Sequence, residues 1–183
     1  MFTPGQEIKT FKSKKGNTVL LRFAKMDDVL AMTEYMNEIS KEDTFIRFSG
    51  EQLTVEEETV YLTDVIKKME QGIAVKVLAF IDSKMVGNAD VVGQEKRSKH
   101  VAVLGLTVKK DFRNEGIGKE MLVTLIDLAK QMGFLQVRLS CFANNTLACD
   151  LYKAFGFSVV GQIPKQILYK GDYVDELIMT KPL

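Results

Sequence analysis

The sequence holds one histidine, His100, and two cysteines, Cys141 and Cys149. That set cannot complete a usual zinc site without carboxylate help, and two thiols are too few for a disulfide scaffold, so no metal and no disulfide framework is expected. No basic cluster adjoins either cysteine, and both read as small apolar core residues. A His-based triad would have to use His100, which sits at a strand start beside a charged turn and reads as a solvated residue. General acid and base work therefore falls to Tyr, Asp or Glu. Charge of one sign is lacking too: 25 Lys+Arg stand against 24 Asp+Glu, a net charge of +1. A protein that tracks a phosphate backbone carries a cationic surplus, so nucleic acid is not an expected partner. No run of about 18 apolar residues occurs, and Met1 to Thr10 carries Pro4, Gly5 and Glu7 in place of an apolar signal core. The expectation is a soluble, cytoplasmic protein with no membrane partner. Repeats, Pro- or Ser-rich linkers and low-complexity stretches are absent, and 183 residues at 46% hydrophobic content suit one domain over 1–183.

What is present alternates strand and helix patterns. Ile8 to Phe11 and Thr18 to Phe23 read as a hairpin around Gly16-Asn17. Asp27 or Asp28 caps a helix with apolar positions Val29, Met32, Met36 and Ile39, ending near Ser40. A loop over Lys41 to Gln52 leads to Thr54, which with Glu57 three residues on has the spacing of a capping box. Glu56, Glu57 and Glu58 read as first-turn charges that complement the helix dipole. Three strands follow as a meander, Ile73 to Ile81, Met85 to Gly93 and Lys99 to Val108. Met121, Leu125, Leu128 and Met132 then mark a helix stopped by Gly133. Leu135 to Phe142 alternates as a strand, and Asn145 caps a short helix that ends at Gly156. Closing strands are expected around Phe157 to Gln162 and Glu176 to Lys181, with a loop holding Pro164, Gly171 and Asp172 between them. The reading is a mixed α/β sheet covered by helices.

One junction suggests chemistry. Between the strand ending at Val108 and the following helix lies Arg113-Asn114-Glu115-Gly116-Ile117-Gly118, an R-x-x-G-x-G pattern. Glycines let backbone N–H groups approach an oxygen, and a helix N-terminus adds roughly half a positive charge, so a pyrophosphate fits there. Arg113 offers a bidentate contact. A P-loop is excluded, because Glu120 follows Gly118-Lys119 and Arg113 stands where a glycine is required. A dinucleotide fingerprint is excluded as well, since Met121 stands at its third glycine.

With its context, this segment resembles the coenzyme A pyrophosphate motif of the GCN5-related N-acetyltransferase superfamily, and the resemblance runs over roughly Thr18 to Gly161. Asn145 to Phe157, NTLACDLYKAFGF, is similar to the family's second signature, an Asn opening a helix and a Tyr seven residues later before a Gly-Phe pair. The resemblance implies an α/β (α+β) fold: a mixed, mostly antiparallel twisted sheet, helices on both faces, and a V-shaped split between the central strands. It implies acetyl-CoA as cosubstrate, held by Leu106, Thr107, Val108, Arg113, Asn114, Glu115, Gly116, Ile117, Gly118, Lys119 and Asn145. It also implies direct acetyl transfer to a primary amine of a small molecule or peptide, with Tyr152 protonating the departing sulfur. A homodimer is left open.

The sequence departs from the family where a base is needed. Relatives commonly place a Glu at positions that match Val103 and Ser140, and neither is acidic. A lysine-like amine with a pKa near 10.4 is neutral in well under about 1% of molecules at pH 7, and an α-amine near 8 in roughly a tenth. Asp90 and Asp175 are the candidate carboxylates. Phe45 and Arg47, in the loop after the first helix, and Tyr173, before the last strand, are the further candidates for the acceptor side. The missing carboxylate leaves a second reading, an acyl-CoA-binding or sensing domain that transfers nothing.

Overall fold

The computed structural model describes residues 2–42 and 44–183. Residue 43, within the expected loop, and Met1 lie outside the described residues. Strands β1 (Glu7–Lys12) and β2 (Thr18–Phe23) form the opening hairpin. Helices α1 (Val29–Lys41) and α2 (Val55–Glu70) follow, then β3 (Ala74–Ile81), β4 (Lys84–Gly93) and β5 (Val101–Val108). Helix α3 (Ile117–Gln131), β6 (Gln136–Phe142), α4 (Thr146–Ala154), β7 (Ser158–Tyr169) and β8 (Asp172–Pro182) complete the order.

Local chemistry sets these limits. The capping box forms as its spacing predicts: Thr54 Oγ1 accepts from the Glu57 N–H at 3.2 Å, and the Glu57 carboxylate accepts from the Thr54 N–H at 2.8 Å. Asp28 begins α1 while its carboxylate takes both Arg22 nitrogens at 2.7 and 2.6 Å, which ties that helix to β2. Every residue of β3 is buried, as expected of a strand covered on both faces, and Lys76 is its one charged member. Lys76 Nζ lies 2.8 Å from the Tyr61 hydroxyl and 3.1 Å from Asp90 Oδ2.

All eight strands share one sheet in the order β1-β2-β3-β4-β5-β6-β8-β7, antiparallel except where β5 meets β6. Adjacent residues of β4 identify the two faces, because successive side chains point to opposite sides. A Cβ at Gly87 would come 2.7 Å from Met121 Sδ of α3, whereas the Asn88 amide meets Met36 Sδ of α1 at 3.7 Å. Helices α1 and α2 thus cover one face and α3 the other, and Cys149 of α4 joins α3's side through Cys141. Met32, Tyr35 and Leu62 fill the first interface and Met121, Leu122 and Leu125 the second, all fully buried. Among the described residues no helix is long and apolar enough to cross a membrane.

One expectation is corrected and another is extended. The loop expected around Pro164 and Gly171 is a long hairpin, β7 and β8, closed by Lys170-Gly171 with φ of 53° and 87°, the pair of positive values a tight two-residue turn requires. Pro164 is accommodated because β7 is an edge strand and the register slips between Ile163 and Ile167, where no ladder N–H is needed. Glu58 stands in the first turn of α2 as expected and is in addition buried: Oε1 has no hydrogen-bond partner among the described residues, and burial raises its pKa against the opposing pull of Lys76.

Candidate active site

Strands β5 and β6 run parallel but pair only over Val101–Gln136, Ala102–Val137 and Val103–Arg138. Beyond Val103 they part, so Leu104 to Val108 and Leu139 to Phe142 flank a split in the sheet. Alternation fixes which backbone groups face it. The Lys109 N–H donates to Val86 O on β4, so odd-numbered β5 residues direct their backbone toward β4, and Leu106 and Val108 direct theirs into the split. The Val108 carbonyl is taken by Arg113 Nε at 2.8 Å, which leaves the Val108 N–H and both Leu106 groups facing the gap. Thr107 is committed elsewhere, its Oγ1 3.0 Å from the Tyr35 hydroxyl.

The R-x-x-G-x-G loop closes the mouth of the split. Asn114 and Gly116 both have positive φ, 62° and 88°, and Gly116 is the residue that opens α3. The first intrahelical bond of this turn runs from the Glu120 N–H to Gly116 O, so the N–H groups of Ile117, Gly118 and Lys119 lack helix partners. A Cβ at Gly116 would meet nothing within 4 Å, and at Gly118 only Val108 Cγ2 at 3.8 Å, so the donors lie open to a bulky anion. The motif's charged side chains brace the loop. Arg113 pairs with Glu42 at the end of α1, and Glu42 also accepts from the Lys110 N–H at 3.0 Å. A bidentate phosphate contact by Arg113 would require that pair to open. Glu115 is buried against the opening hairpin, accepting from Ser13 Oγ at 2.8 Å and pairing with Lys15 at 2.9 Å. These bonds hold its carboxyl below the usual range.

Across the split, Asn145 starts α4 and its Oδ1 accepts from the Ala148 N–H at 3.3 Å. Tyr152 is half-buried on that helix, its ring centre 5.9 Å from Phe157. Burial, with the neighbouring Cys141 and Cys149, raises its pKa to about 12, so the phenol stays protonated at any working pH. The two cysteines are free and buried, with Sγ atoms 3.2 Å apart.

On the opposite face, beside the same split, lies a cavity of about 260 Å³ lined by Ile46, Arg47, Phe142, Tyr169 and Glu176 among others. The register pairs Phe142 with Glu176, which puts both on the face of α1 and α2. Phe45, Phe142 and Tyr169 form a ring triad with centres 5.0 to 5.7 Å apart. Glu176 Oε1 accepts from Ser140 Oγ at 2.6 Å and from Arg47 at 3.2 Å. Ser140 thus has beside it a carboxylate from the neighbouring strand.

Of the acceptor candidates, Arg47 lines this cavity, Phe45 packs against its Phe142 and Tyr169 walls, and the others lie elsewhere. Asp90 is the counter-ion of Lys76. Asp175 is half-buried, on the other face of β8, and accepts from the Lys165 N–H at 2.8 Å and from Gln162, bonds that lower its pKa. Tyr173 pairs with Leu168 on the outer hairpin and is exposed. Glu176 is the residue that sequence reasoning missed. Its signal was one of parity: adjacent strand residues point to opposite faces, and only the pairing with β6 decides which of Asp175 and Glu176 faces the cavity.

The sequence pattern of the acetyltransferase (GNAT) family matches residues 33–157. The chain is similar to L-amino acid N-acetyltransferase AaaT of Escherichia coli (strain K12), 30% identical over 108 residues, which is 58% of this chain and 67% of that protein. Several other curated relatives are matched over well under half of their own length. Among solved structures, an acetyltransferase of the GNAT family from Streptococcus pneumoniae superposes with a TM-score of 0.82 at 27% identity, over 90% of this chain and 99% of that one. The fold is also that of a phosphinothricin acetyltransferase from Sinorhizobium meliloti in complex with acetyl-CoA, with a TM-score of 0.78 at 20% identity over 90% and 88% of the two chains.

Proposed function

This chain belongs to the acetyltransferase (GNAT) family of acyltransferases, and on that premise we propose that it carries an acetyl group directly from acetyl-CoA to a primary amine of a small molecule or peptide. The observation that carries this reading is the split: the open backbone groups of Leu106 and the Val108 N–H on one wall, N–H groups of Ile117 to Lys119 without helix partners at its mouth, and Tyr152 across it. We read the whole 1–183 span as one acetyltransferase domain, since strands from Glu7 to Pro182 share a single sheet.

Acetyl-CoA brings an activated thioester and a pyrophosphate, and the open glycine positions suit the latter. The N–H groups of Ile117, Gly118 and Lys119 hold the pyrophosphate, and Leu106 and Val108 align the pantetheine arm as an added strand would be aligned. Asn145 keeps the start of α4 in place beside that arm. The N–H groups facing the split polarise the thioester carbonyl. Tyr152, with a pKa near 12, is a weaker acid than a thiol of about 8.5. Its part is to donate a hydrogen bond to the charge growing on sulfur, with its proton following as protons released from the amine become available.

A thermal-shift titration with acetyl-CoA, against ATP and NAD at equal concentration, tests the reading. At about 100 times its dissociation constant a ligand adds about 2.7 kcal/mol, a midpoint rise of about 5–10 °C for a chain this long. A rise with acetyl-CoA alone supports it, and no rise in the folded protein overturns it.

A further inference from the structure

Glu176 is 7% exposed and Arg47 82% exposed, yet they touch at 3.2 Å inside one cavity beside the split. A buried carboxylate is costly unless paired and hydrogen-bonded. Here Ser140 Oγ and Arg47 meet that need, but the Arg47 arm reaches in from the loop after α1 and remains mostly in water. Ion pairs with an exposed partner are weak, so this one opens readily for a ligand offering better partners to both charges. Such a ligand must set a cation against Glu176 and an anion against Arg47 within one small cavity. We infer that the Arg47–Glu176 pair is the acceptor site for the zwitterionic head of a free α-amino acid, the ammonium on Glu176 and the carboxylate on Arg47.

The alternatives fit less well. A polyamine sets no anion against Arg47 and brings a second cation toward it. A peptide N-terminus presents a neutral amide where the carboxylate should be. The Phe142 and Tyr169 rings, backed by Phe45, offer an aromatic wall for the amino-acid side chain. Glu176 adjoins Ser140, whose backbone faces the split, so the amine it holds lies toward the thioester. In the transfer, the Glu176 carboxylate takes one proton from the ammonium. The freed lone pair forms the C–N bond, and the C–S bond breaks with its electron pair going to sulfur. Sulfur ends protonated through Tyr152, and the second nitrogen proton replenishes the phenol. Glu176 returns its proton to water, so one proton is released per turnover and nothing is oxidised or reduced.

This inference rests on the acetyltransferase reading, and the test separates the two. Thiol release is followed with L-methionine and L-phenylalanine, with their decarboxylated counterparts 3-(methylthio)propylamine and 2-phenylethylamine, and with spermidine and an alanyl tripeptide. The expected result is kcat/KM at least tenfold higher for each amino acid than for its decarboxylated counterpart. Arg47→Ala should collapse that ratio toward one through the amino-acid KM, and Arg47→Lys should restore part of it. Glu176→Gln should lower kcat for every acceptor. An Arg47→Ala enzyme with the ratio intact overturns the inference. Turnover of spermidine or the tripeptide with none of the amino acids overturns it and leaves the acetyltransferase reading standing, whereas thiol release that no acceptor raises above the acceptor-free rate overturns both.

Discussion

Replacing Asp90 by alanine should destabilise the protein and spare its catalysis. Asp90 Oδ2 lies 3.1 Å from Lys76 Nζ, and the Lys76 side chain is only 3% exposed. Burial opposes the Lys76 charge, but the Asp90 carboxylate and the Tyr61 hydroxyl outweigh it and raise its pKa above the ordinary 10.5. A raised lysine pKa contributes stability that is complete below the ordinary value and fades only as pH climbs through the folded one, so the whole effect is present at pH 7. Removing one member of a buried pair costs about 3–5 kcal/mol. Tyr61 still accepts from the ammonium at 2.8 Å and Glu58 stays nearby, which brings the expected loss to about 2–4 kcal/mol. At 2–4 °C per kcal/mol for a chain this long, the unfolding midpoint should fall by about 5–15 °C. Thermal and urea unfolding measure the loss, and kcat/KM per folded molecule is measured alongside. Lys76→Met added to Asp90→Ala should recover stability, because the stranded charge is then gone. An Asp90→Ala enzyme with an unchanged midpoint and a hundredfold loss in kcat/KM would refute the argument and restore Asp90 as a catalytic carboxylate.

Tyr152→Phe removes one hydrogen bond to charge developing on sulfur, worth about 1.5–3 kcal/mol, so kcat should drop about ten- to a hundredfold while calorimetric acetyl-CoA affinity holds. With Tyr152 near pKa 12, the wild-type rate should rise with pH as the amine deprotonates and show no downturn from the phenol below about pH 11. Arg113→Ala frees the Val108 carbonyl and unpairs Glu42; the loosened loop should bind acetyl-CoA about five- to thirtyfold more weakly, about 1–2 kcal/mol by calorimetry. Glu58→Gln should raise the unfolding midpoint at pH 7. Because burial raises the Glu58 pKa above 4.5, its charge costs stability once pH exceeds that range, and the two proteins should converge as pH falls below it.

The parts of this molecule legible in its sequence are those fixed by neighbours in the chain. Thr54 with Glu57, Gly116 at the turn into α3 and Asn145 at the start of α4 act within one turn of themselves, and each stands where its spacing places it. What escaped reading depends on pairing between distant strands. Pro164 argued against a strand, yet an edge strand at a register slip tolerates it, and Lys170-Gly171 was the overlooked sign of a hairpin. Once that hairpin is read as a loop, the parity of β8 is lost, and Asp175 looks as good as Glu176. Restoring the pairing of Phe142 with Glu176 sends Asp175 out to Gln162 and turns Glu176 in toward Arg47. Glu58 escaped for the related reason that a helix face is buried by whatever strand runs beneath it, and Lys76 marks that strand only after the sheet is assembled. The donor half of the proposed site is therefore written locally, in one loop and one helix start, while its acceptor half exists only as a register. Substitutions that shift β8 by one residue should leave acetyl-CoA binding in place and abolish acceptor turnover, because they turn Glu176 away from the cavity without touching the loop proposed to hold the donor.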